Sequence, residues 1–445
     1  MITRLRAENF KSWKDTGDLR LGRLTGLFGT NSSGKTSILQ ILPLLKQTAE
    51  NSDRNRVLHT GVVDSPVYLG TLPDILHGHR RDAALKFSFT WDIAANPASA
   101  DAPHLSERLF NAREMTFRNS IVVKEDRPTV EFFDYEFAGQ HVGMRRETGV
   151  EEIYKLTHSG GRVEKEFLRN PKLLRSAVKS YGFPPEAREY SKDTTLLPSL
   201  QLAFENFLEG VHYLGPLRSH PLRVYEWGGE RPADAGWDGE DAIAALLAPR
   251  KELTGRVEAV NKILYWLREK MKLAESFSLK AVDDSRTLYQ FRIKTTSGAT
   301  EVLLPDVGFG VSQILPVLVN CAILPEGSTL LLEQPEIHLH PFAQAALADV
   351  LIDVIKNQRL QIIVESHSEH LLRRIQRRIA REVIHPDDVA LYFCQVENGS
   401  STVEELDVDA YGNIRNWPAD FFGDEMGELA DMTVAAMERQ KAGRQ

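Results

Sequence analysis

The interpretation of this chain rests on the stretch LTGLFGTNSSGKTS, residues 24–37. It fits the pattern G-x-x-x-x-G-K-[ST] through Gly29, Gly34, Lys35 and Thr36. In this pattern small residues let successive backbone N–H groups surround a phosphate, the lysine reaches the β- and γ-phosphates, and the threonine hydroxyl ligates Mg²⁺. A helix that begins near Gly34 points its positive end at the same anion. We therefore predict a phosphate loop over residues 29–37.

The sequence on either side supports this prediction. Leu24 to Phe28 is a short apolar run typical of a buried strand, and residues 37–42 begin an apolar helix. A chance Gly/Ser turn before a helix fits the same pattern, but the order strand, loop, helix favours a nucleotide site. The residues expected to bind ATP are Gly29, Asn31, Ser32, Ser33, Gly34, Lys35, Thr36 and Ser37.

Length and composition restrict the class of protein. A chain of 445 residues indicates about two or three domain-sized units, or one core with a large insertion. The net charge of −8 argues against coating nucleic acid through the overall field, although it permits a local basic patch. We find no apolar run of about 18 residues and no signal core, so we expect no membrane partner. Cys321 and Cys394 lie in apolar stretches, and we predict a cytoplasmic protein.

The middle of the chain separates into two patterns. Strand-like alternation fills residues 85–93, 114–123, 130–137 and 153–157, whereas residues 171–210 and 239–274 are predicted to be helical. A Gly- and Pro-rich stretch, residues 213–240, lies between the two helical regions and is predicted to be a structured loop. Strands return at about 276–304.

An acidic strand lies far from the phosphate loop in sequence. Residues 328–333 are apolar and end at Glu333. A nucleotide-hydrolysing site needs an acid at such a strand end to hold Mg²⁺, so we predict Thr36 and Glu333 as the metal residues. A buried strand that meets solvent at an acidic turn is the alternative. Because the two halves of one site are so far apart, we predict a nucleotide-binding core with an insertion between them.

A second apolar strand, residues 361–365, is followed by Ser366, His367 and Ser368. A histidine at this place can contact a γ-phosphate or the attacking water. A lone histidine at a strand end is more often structural, but the order phosphate loop, acidic strand, histidine strand favours a role for His367 in catalysis.

Three segments together resemble the ABC-type ATPases related to the SMC, RecF and OLD families. They are the opening LRAENFKS (residues 5–12), EQPEIHLHP (333–341) and ESHSEH (365–370). The stretch 213–223 and a tail over 412–423 resemble a subgroup of bacterial ATPases. The resemblance implies an α/β fold, an ABC-type P-loop ATPase head that uses ATP and Mg²⁺. It also implies a head-to-head homodimer, because each site is completed by a signature loop from the other subunit.

The candidate signature loop is residues 306–313, before an apolar helix. Its glycines and hydroxyl can present donors to a γ-phosphate at a helix N-terminus. The residues concerned are Gly308, Gly310, Ser312 and Gln313. The segment lacks Ser-Gly-Gly, and a glycine turn that starts a buried helix remains the alternative.

The most consequential departure from the related families is Gln334, where an acid usually follows the strand-end acid. An amide orients water but does not accept its proton. Either Glu336 serves as the base, or hydrolysis is slow and the ATP-bound dimer is long-lived. We favour slow hydrolysis.

Several other features have competing interpretations. His338, His340, His367 and His370 lack the partners typical of zinc. Asp407 and Asp409 form D-x-D, as in a Toprim nuclease, but an exposed strand edge explains them as well. Arg218 and Arg223 can act as arginine fingers or pair with acids. A basic helix face that can bind nucleic acid or a partner, or simply be solvated, consists of Arg373, Arg374, Arg377, Arg378 and Arg381.

The predicted organisation has four parts. Residues 1–95 and 281–410 form two lobes of the head, residues 96–280 form the insertion, and residues 411–445 form a short C-terminal element. The predicted function is a sensor or clamp ATPase in nucleic-acid-linked bacterial antiphage defence, without a Toprim domain and with a separate effector. A scaffold that sequesters a partner protein, or a DNA-repair-type ATPase, is the alternative.

Overall fold

The computed structural model describes residues 1–93, 112–147, 153–160, 167, 174–248, 253–418, 432 and 434. The strands are β1 Ile2–Phe10, β2 Trp13–Asp15, β3 Leu19–Arg20, β4 Leu24–Gly29, β5 Leu85–Asp92, β6 Glu114–Lys124, β7 Arg127–Phe137, β8 Gln140–Arg146, β9 Tyr154–Ser159, β10 Val211–Leu214, β11 Tyr225–Glu226, β12 Ser276–Ala281, β13 Leu288–Lys294, β14 Val302–Leu303, β15 Thr329–Glu333, β16 Gln361–Glu365, β17 Val389–Glu397 and β18 Ser400–Glu405.

The helices are α1 Lys35–Glu50, α2 Leu72–Ile75, α3 Leu196–Glu209, α4 Ala242–Leu247, α5 Leu253–Tyr265, α6 Phe309–Ile323, α7 Pro341–Gln358 and α8 Glu369–Ala380. A π-helical turn, Trp266–Lys270, follows α5, and short 3₁₀ turns cover His77–His79, Pro185–Tyr190, Leu304–Asp306 and Pro386–Asp388. No helix in the described ranges is long and apolar enough to span a membrane.

The central sheet has the order β10-β15-β16-β4-β17-β18, parallel except for β18. Its strands are continuously apolar because helices cover both faces. Leu331 and Ile363 pack with α1, whereas Leu330 and Ile362 pack in the second core with α6 and α7. This alternation decides which strand-end side chains point toward the N-terminus of α1.

A large antiparallel sheet has the order β2-β1-β5-β6-β7-β8-β9, with β3 also paired to β1. Its inner face carries an aromatic cluster around Phe89, Phe117 and Phe204, with ring centroids 4.6–5.6 Å apart. Such contacts add about 0.5–1.5 kcal/mol per pair beyond burial and fix α3 on the sheet. A third, small sheet contains β11 to β14.

The buried Gln361 side chain joins the two large sheets. It accepts hydrogen bonds from the Ile2 N–H (2.8 Å) and the Thr329 hydroxyl (3.0 Å), and donates to the carbonyls of Ile2 (2.6 Å) and Gly22 (2.9 Å). All four bonding positions of the amide are used. The histidine strand, β16, is therefore held in register with the first strand of the chain.

The predicted insertion, residues 96–280, shares both large sheets with the predicted lobes. Strands β6 to β9 extend the sheet begun by β1 and β5, and β10 joins the central sheet beside β15. The helix predicted over 171–210 is wrong for residues 174–195, where only the Pro185–Tyr190 turn is helical, and right for α3. Of the predicted C-terminal element, residues 419–431, 433 and 435–445 lie outside the described ranges.

Candidate nucleotide-binding site

The phosphate loop joins β4 to α1 and depends on two glycines. Gly29 has φ +133° and Gly34 has φ +88°, conformations that residues with a Cβ rarely adopt. A Cβ on Gly29 would collide with the backbone carbonyl of Cys394 on β17. The loop is therefore pressed against the neighbouring strand, and only glycine fits at its start.

Lys35 lies folded over the loop. Its Nζ donates to the carbonyls of Thr30 (2.6 Å) and Gly29 (3.2 Å) and to the Ser33 hydroxyl (3.3 Å). Burial lowers the pKa of this ammonium, and the charge of Glu365 partly opposes the shift. A buried cation held only by neutral oxygens is suited to an incoming anion.

A cavity of about 430 Å³ opens above the loop. Its lining brings together residues 31–37, Gln334 and His367, which were candidate site residues, with Lys11, Ser12 and Glu365, which were not. Lys11 and Ser12 belong to the turn after β1, which the sequence pattern marked without assigning to the site. The volume of the cavity is within the range of about 300–1,000 Å³ typical of small-molecule sites.

Glu333 ends β15 as predicted but does not line this cavity. Its Oε1 accepts a hydrogen bond from the Tyr213 hydroxyl on β10 (2.7 Å). Burial, followed by the neighbouring charge of Glu365, raises the pKa of Glu333 to about 8. Without a cation, this carboxyl is therefore largely protonated near neutral pH.

Glu365 is the acidic site residue that the sequence reasoning missed. Its Oε2 accepts a hydrogen bond from the Thr36 hydroxyl at 2.8 Å. Burial raises its pKa, although hydrogen bonds from Thr36 and Gln334 and the charge of Lys35 oppose the shift. The residue stood in the quoted histidine-strand motif, but only the strand order shows that it lies beside the phosphate loop.

Glu336, the candidate base, is turned toward the histidine segment. Its Oε1 accepts hydrogen bonds from the Ser366 hydroxyl (2.7 Å) and the His367 N–H (2.8 Å). The side chain is buried, which raises its pKa, and it is not in the cavity lining. This geometry gives Glu336 a role in positioning the turn that carries His367.

The His367 side chain is exposed to the cavity. Burial of part of the ring, and then the charge of Lys35, lower its pKa. Near pH 7 the imidazole is therefore neutral, and it can donate one hydrogen bond and accept another. That state suits contact with a phosphate oxygen or a water molecule.

The candidate signature residues lie at the start of α6, away from the phosphate loop of the same chain. The Ser312 hydroxyl donates to the Phe309 carbonyl (2.9 Å), and both Ser312 and Gln313 are buried. Neither they nor Gly308 and Gly310 line the cavity above the loop. Phe309 itself is 60% exposed.

The histidine and D-x-D features have local structural explanations. His340 caps α7 by accepting from the Phe342 N–H, and His338 lies against the Phe309 ring. Asp409 accepts from the backbone of Asn413, while Asp407 pairs with Arg415. In the described ranges, no cluster of three His, Cys, Asp or Glu side chains fits a metal ion.

The two candidate arginine fingers differ in burial and in their hydrogen-bond partners. Arg223 forms an exposed ion pair with Asp306 (2.6 Å). Arg218 is buried and donates one hydrogen bond to the Glu333 carbonyl (3.3 Å), while its Nε and Nη1 have no partner in the described part of the chain. Burial lowers the pKa of Arg218 to about 10, so it still carries its charge at pH 7.

The basic helix face is partly committed to internal packing. Arg374 and Arg378 both bind Asp349 on α7, at 2.6 Å each. Arg373 pairs with Glu369 and lies over the Trp417 ring, 4.7 Å from its centroid. Arg377 and Arg381 are exposed.

The donor set fits the nucleotide and cation that the loop implies. Mg²⁺ prefers oxygen ligands and uses one or two carboxylates together with phosphates and water. The Thr36 hydroxyl and the carboxylates of Glu333 and Glu365 supply such oxygens. The His367 imidazole also lines the cavity, but the oxygens of these three groups are the ligand type that Mg²⁺ prefers.

Comparison with known proteins places this site in a family. Residues 24–373, more than three quarters of the chain, match the family model described as "AAA domain, putative AbiEii toxin, Type IV TA system". The chain belongs to this family. Residues 384–432 of this AAA-domain protein match a second model, described as a protein of unknown function (DUF3696). A search of curated proteins found no match.

Three solved structures resemble this AAA-domain protein. An SMC head bound to the C-terminal winged-helix domain of ScpA is 14% identical, with a TM-score of 0.45 over 92% of this chain and 98% of that chain. An SMC head domain from Thermotoga maritima is 11% identical, with a TM-score of 0.41 over 92% of this chain and 99% of that chain. The third structure is an SMC head with an extended coiled coil, bound to the C-terminal domain of ScpA derived from Pyrococcus furiosus. It is 12% identical, with a TM-score of 0.42 over 91% of this chain and 96% of that chain.

The family and the topology agree on the fold. The phosphate-loop strand β4 is separated from the acidic strand β15 by β16 in a parallel sheet. The protein is an α/β member of the AAA-domain family, with a phosphate loop between β4 and α1 of a mostly parallel sheet.

Proposed function

We propose that this protein binds ATP with Mg²⁺, hydrolyses it slowly and closes head to head with a second copy. The observation that carries the proposal is the single cavity lined by the phosphate loop, Gln334, Glu365 and His367. When bound, Mg²⁺ neutralises phosphate charge in such a site. Lys35 would hold the phosphates, and His367 would bond a terminal oxygen or water.

The proposed dimer is supported by the position of the signature loop. Residues 308–313 do not line the cavity of their own chain, and Phe309 within this loop is exposed. A second copy that faces the first can bring this loop to the open side of the cavity.

Slow hydrolysis is supported by the two residues that would activate water. Gln334 lines the cavity but has no group that accepts a proton. Glu336 is buried outside the cavity lining, and its Oε1 accepts hydrogen bonds from Ser366 and the His367 N–H. We expect Glu336→Gln to lower ATP turnover less than threefold, because an amide oxygen still accepts both bonds. A loss of a hundredfold or more would instead assign the base to Glu336.

Nucleotide binding is tested with a fluorescent ATP analogue and Lys35→Ala. Loss of hydrogen bonds from a charged group costs about 1.5–3 kcal/mol, so the affinity should fall about 10- to 150-fold. Lys14→Ala, which removes an exposed lysine, is the matched control and should bind as the wild type does. Equal affinity of the two variants would contradict the proposal.

In the cell, we propose a sensor or clamp in bacterial antiphage defence that acts with a separate effector in the reducing cytoplasm. The family description, which names a putative AbiEii toxin of a type IV TA system, and the free, buried cysteines support this placement. Arg377 and Arg381 are the exposed residues for contact with DNA or RNA.

A scaffold that holds a partner protein is the second candidate. Its support is the use of Arg374 and Arg378 in binding Asp349, which leaves a smaller basic surface for nucleic acid. Nucleic-acid binding by the purified protein separates the two candidates.

A further inference from the structure

The strand order places Glu365 nearer to the phosphate loop than Glu333. β16 lies between β15 and β4, and Glu365 is in register with Glu333 on one side and with Leu27 on the other. Adjacent strands are about 4.8 Å apart, so Glu333 is one strand spacing farther from the loop.

Both acidic side chains point to the same face of the sheet. Side chains alternate between faces along a strand, so Glu333 follows Leu331 and Glu365 follows Ile363. Leu331 and Ile363 pack in the core that contains α1. The carboxylates are therefore directed toward the end of α1 that carries Thr36.

The hydrogen bonds separate the two acids. Thr36 Oγ1 donates to Glu365 Oε2 (2.8 Å), whereas Glu333 accepts from Tyr213 on the opposite neighbouring strand (2.7 Å). A threonine hydroxyl has one proton and two lone pairs. Because Glu365 accepts the proton, the lone pairs of Thr36 are left for a cation.

We propose that Glu365 is the positioning residue of the cation site: it orients the Thr36 hydroxyl and adds a negative charge beside Glu333. This inference rests on the proposed binding of ATP with Mg²⁺. It assigns the site a carboxylate from the strand between the phosphate-loop strand and the acidic strand.

The same contact gives a reason for Gln334. Its backbone N–H donates to the Glu365 carbonyl (2.9 Å), and both side chains line the same cavity. An acid at residue 334 would place two like charges together in a buried site, which is unfavourable. A neutral amide at 334 and an acid at 365 are therefore mutually compatible.

The test measures cation and nucleotide affinities separately on the full chain, with Mn²⁺ as the probe and a non-hydrolysable ATP analogue. Glu365→Gln keeps an acceptor for Thr36 but removes the charge. We expect the Mn²⁺ affinity of the nucleotide complex to fall about 10- to 100-fold, as for other residues that orient metal ligands. Nucleotide affinity in EDTA should stay the same or rise, because a negative charge near the phosphates has gone.

The control is Glu186→Gln, the same change at an exposed residue, which should match the wild type. Glu365→Asp keeps the charge but withdraws it by one methylene, and should also weaken Mn²⁺ binding. Unchanged Mn²⁺ affinity in both Glu365 variants, or an equal fall in nucleotide affinity in EDTA, would overturn the inference. A wild-type protein that binds no nucleotide would overturn the proposed function itself.

Discussion

Asp349→Asn tests whether the basic helix face is primarily a packing device. Asp349 on α7 accepts three hydrogen bonds, from Arg374 Nη1 (2.6 Å), Arg378 Nε (2.6 Å) and Arg378 Nη2 (2.9 Å). Its side chain is 9% exposed, and the two arginines are 19% and 24% exposed. The substitution leaves two largely buried guanidinium groups without a counter-charge.

The magnitude follows from this burial. Breaking a buried ion pair costs about 3–5 kcal/mol. Since the arginines keep part of their hydration, we expect a loss of about 2–3 kcal/mol. At about 2–4 °C per kcal/mol for units of 150–250 residues, the melting temperature should fall by about 4–12 °C in thermal unfolding followed by circular dichroism.

The pH dependence has a definite sign. Burial opposes ionisation of Asp349, but the bonds and charges of Arg378 and Arg374 outweigh it and hold its pKa below the usual value. A carboxyl group whose pKa is lower in the folded state stabilises the fold at pH values above its unfolded pKa of about 3.9. This stabilisation is lost as the pH falls below that value and through the folded pKa. The difference between wild type and variant should therefore be constant from pH 6 to 8.

Glu326→Gln is the matched control, because Glu326 pairs with Arg359 at a similar distance, 2.9 Å, but the two side chains are 63% and 70% exposed. An exposed pair is worth about 0–1 kcal/mol, so the change should be small. Equal shifts in the two variants would refute the reasoning from burial.

Three further predictions concern the site and the exposed arginines. Gly29→Ala should abolish nucleotide binding because its Cβ would meet a backbone carbonyl of β17, while Gly298→Ala, in open space, should have no effect in the same titration. The pKa of Glu333 is raised to about 8, so this carboxyl must lose its proton to help hold a cation. Mn²⁺ affinity should therefore rise by up to about tenfold per pH unit between pH 6 and 8 and then level off. Glu333→Gln should flatten this pH profile. Reversing Arg377 and Arg381 to Glu should weaken DNA binding and lower the slope of log affinity against log salt by about 2; unchanged binding would remove support for nucleic-acid contact.

The phosphate loop was predictable because it is a local feature. The glycines, Lys35 and Thr36 are contiguous, and the apolar runs on both sides fix strand and helix. His367 and Gln334, which follow the buried strands β16 and β15, line the same cavity as the phosphate loop. Pattern and spacing are enough to locate a functional side chain when it lies at the end of the strand or helix that the pattern predicts.

Features that depend on strand order or helix pairing could not be predicted from the sequence. Glu365 and Glu333 both follow apolar runs, and nothing local shows which strand lies beside β4. The spacing of the arginines predicts a basic face but does not reveal Asp349 on another helix. Likewise, alternation identified β5, β6, β7 and β9 of the middle region, but it missed β8 and did not reveal the pairing of β5 with β1.

The most direct test of the account is sedimentation velocity of the wild-type protein with Mg²⁺ and a non-hydrolysable ATP analogue, compared with Lys35→Ala. The account predicts that the nucleotide converts wild-type monomer into dimer and leaves the variant monomeric. A wild-type protein that binds the nucleotide but remains monomeric at every protein concentration would contradict the claim that a second copy completes the site.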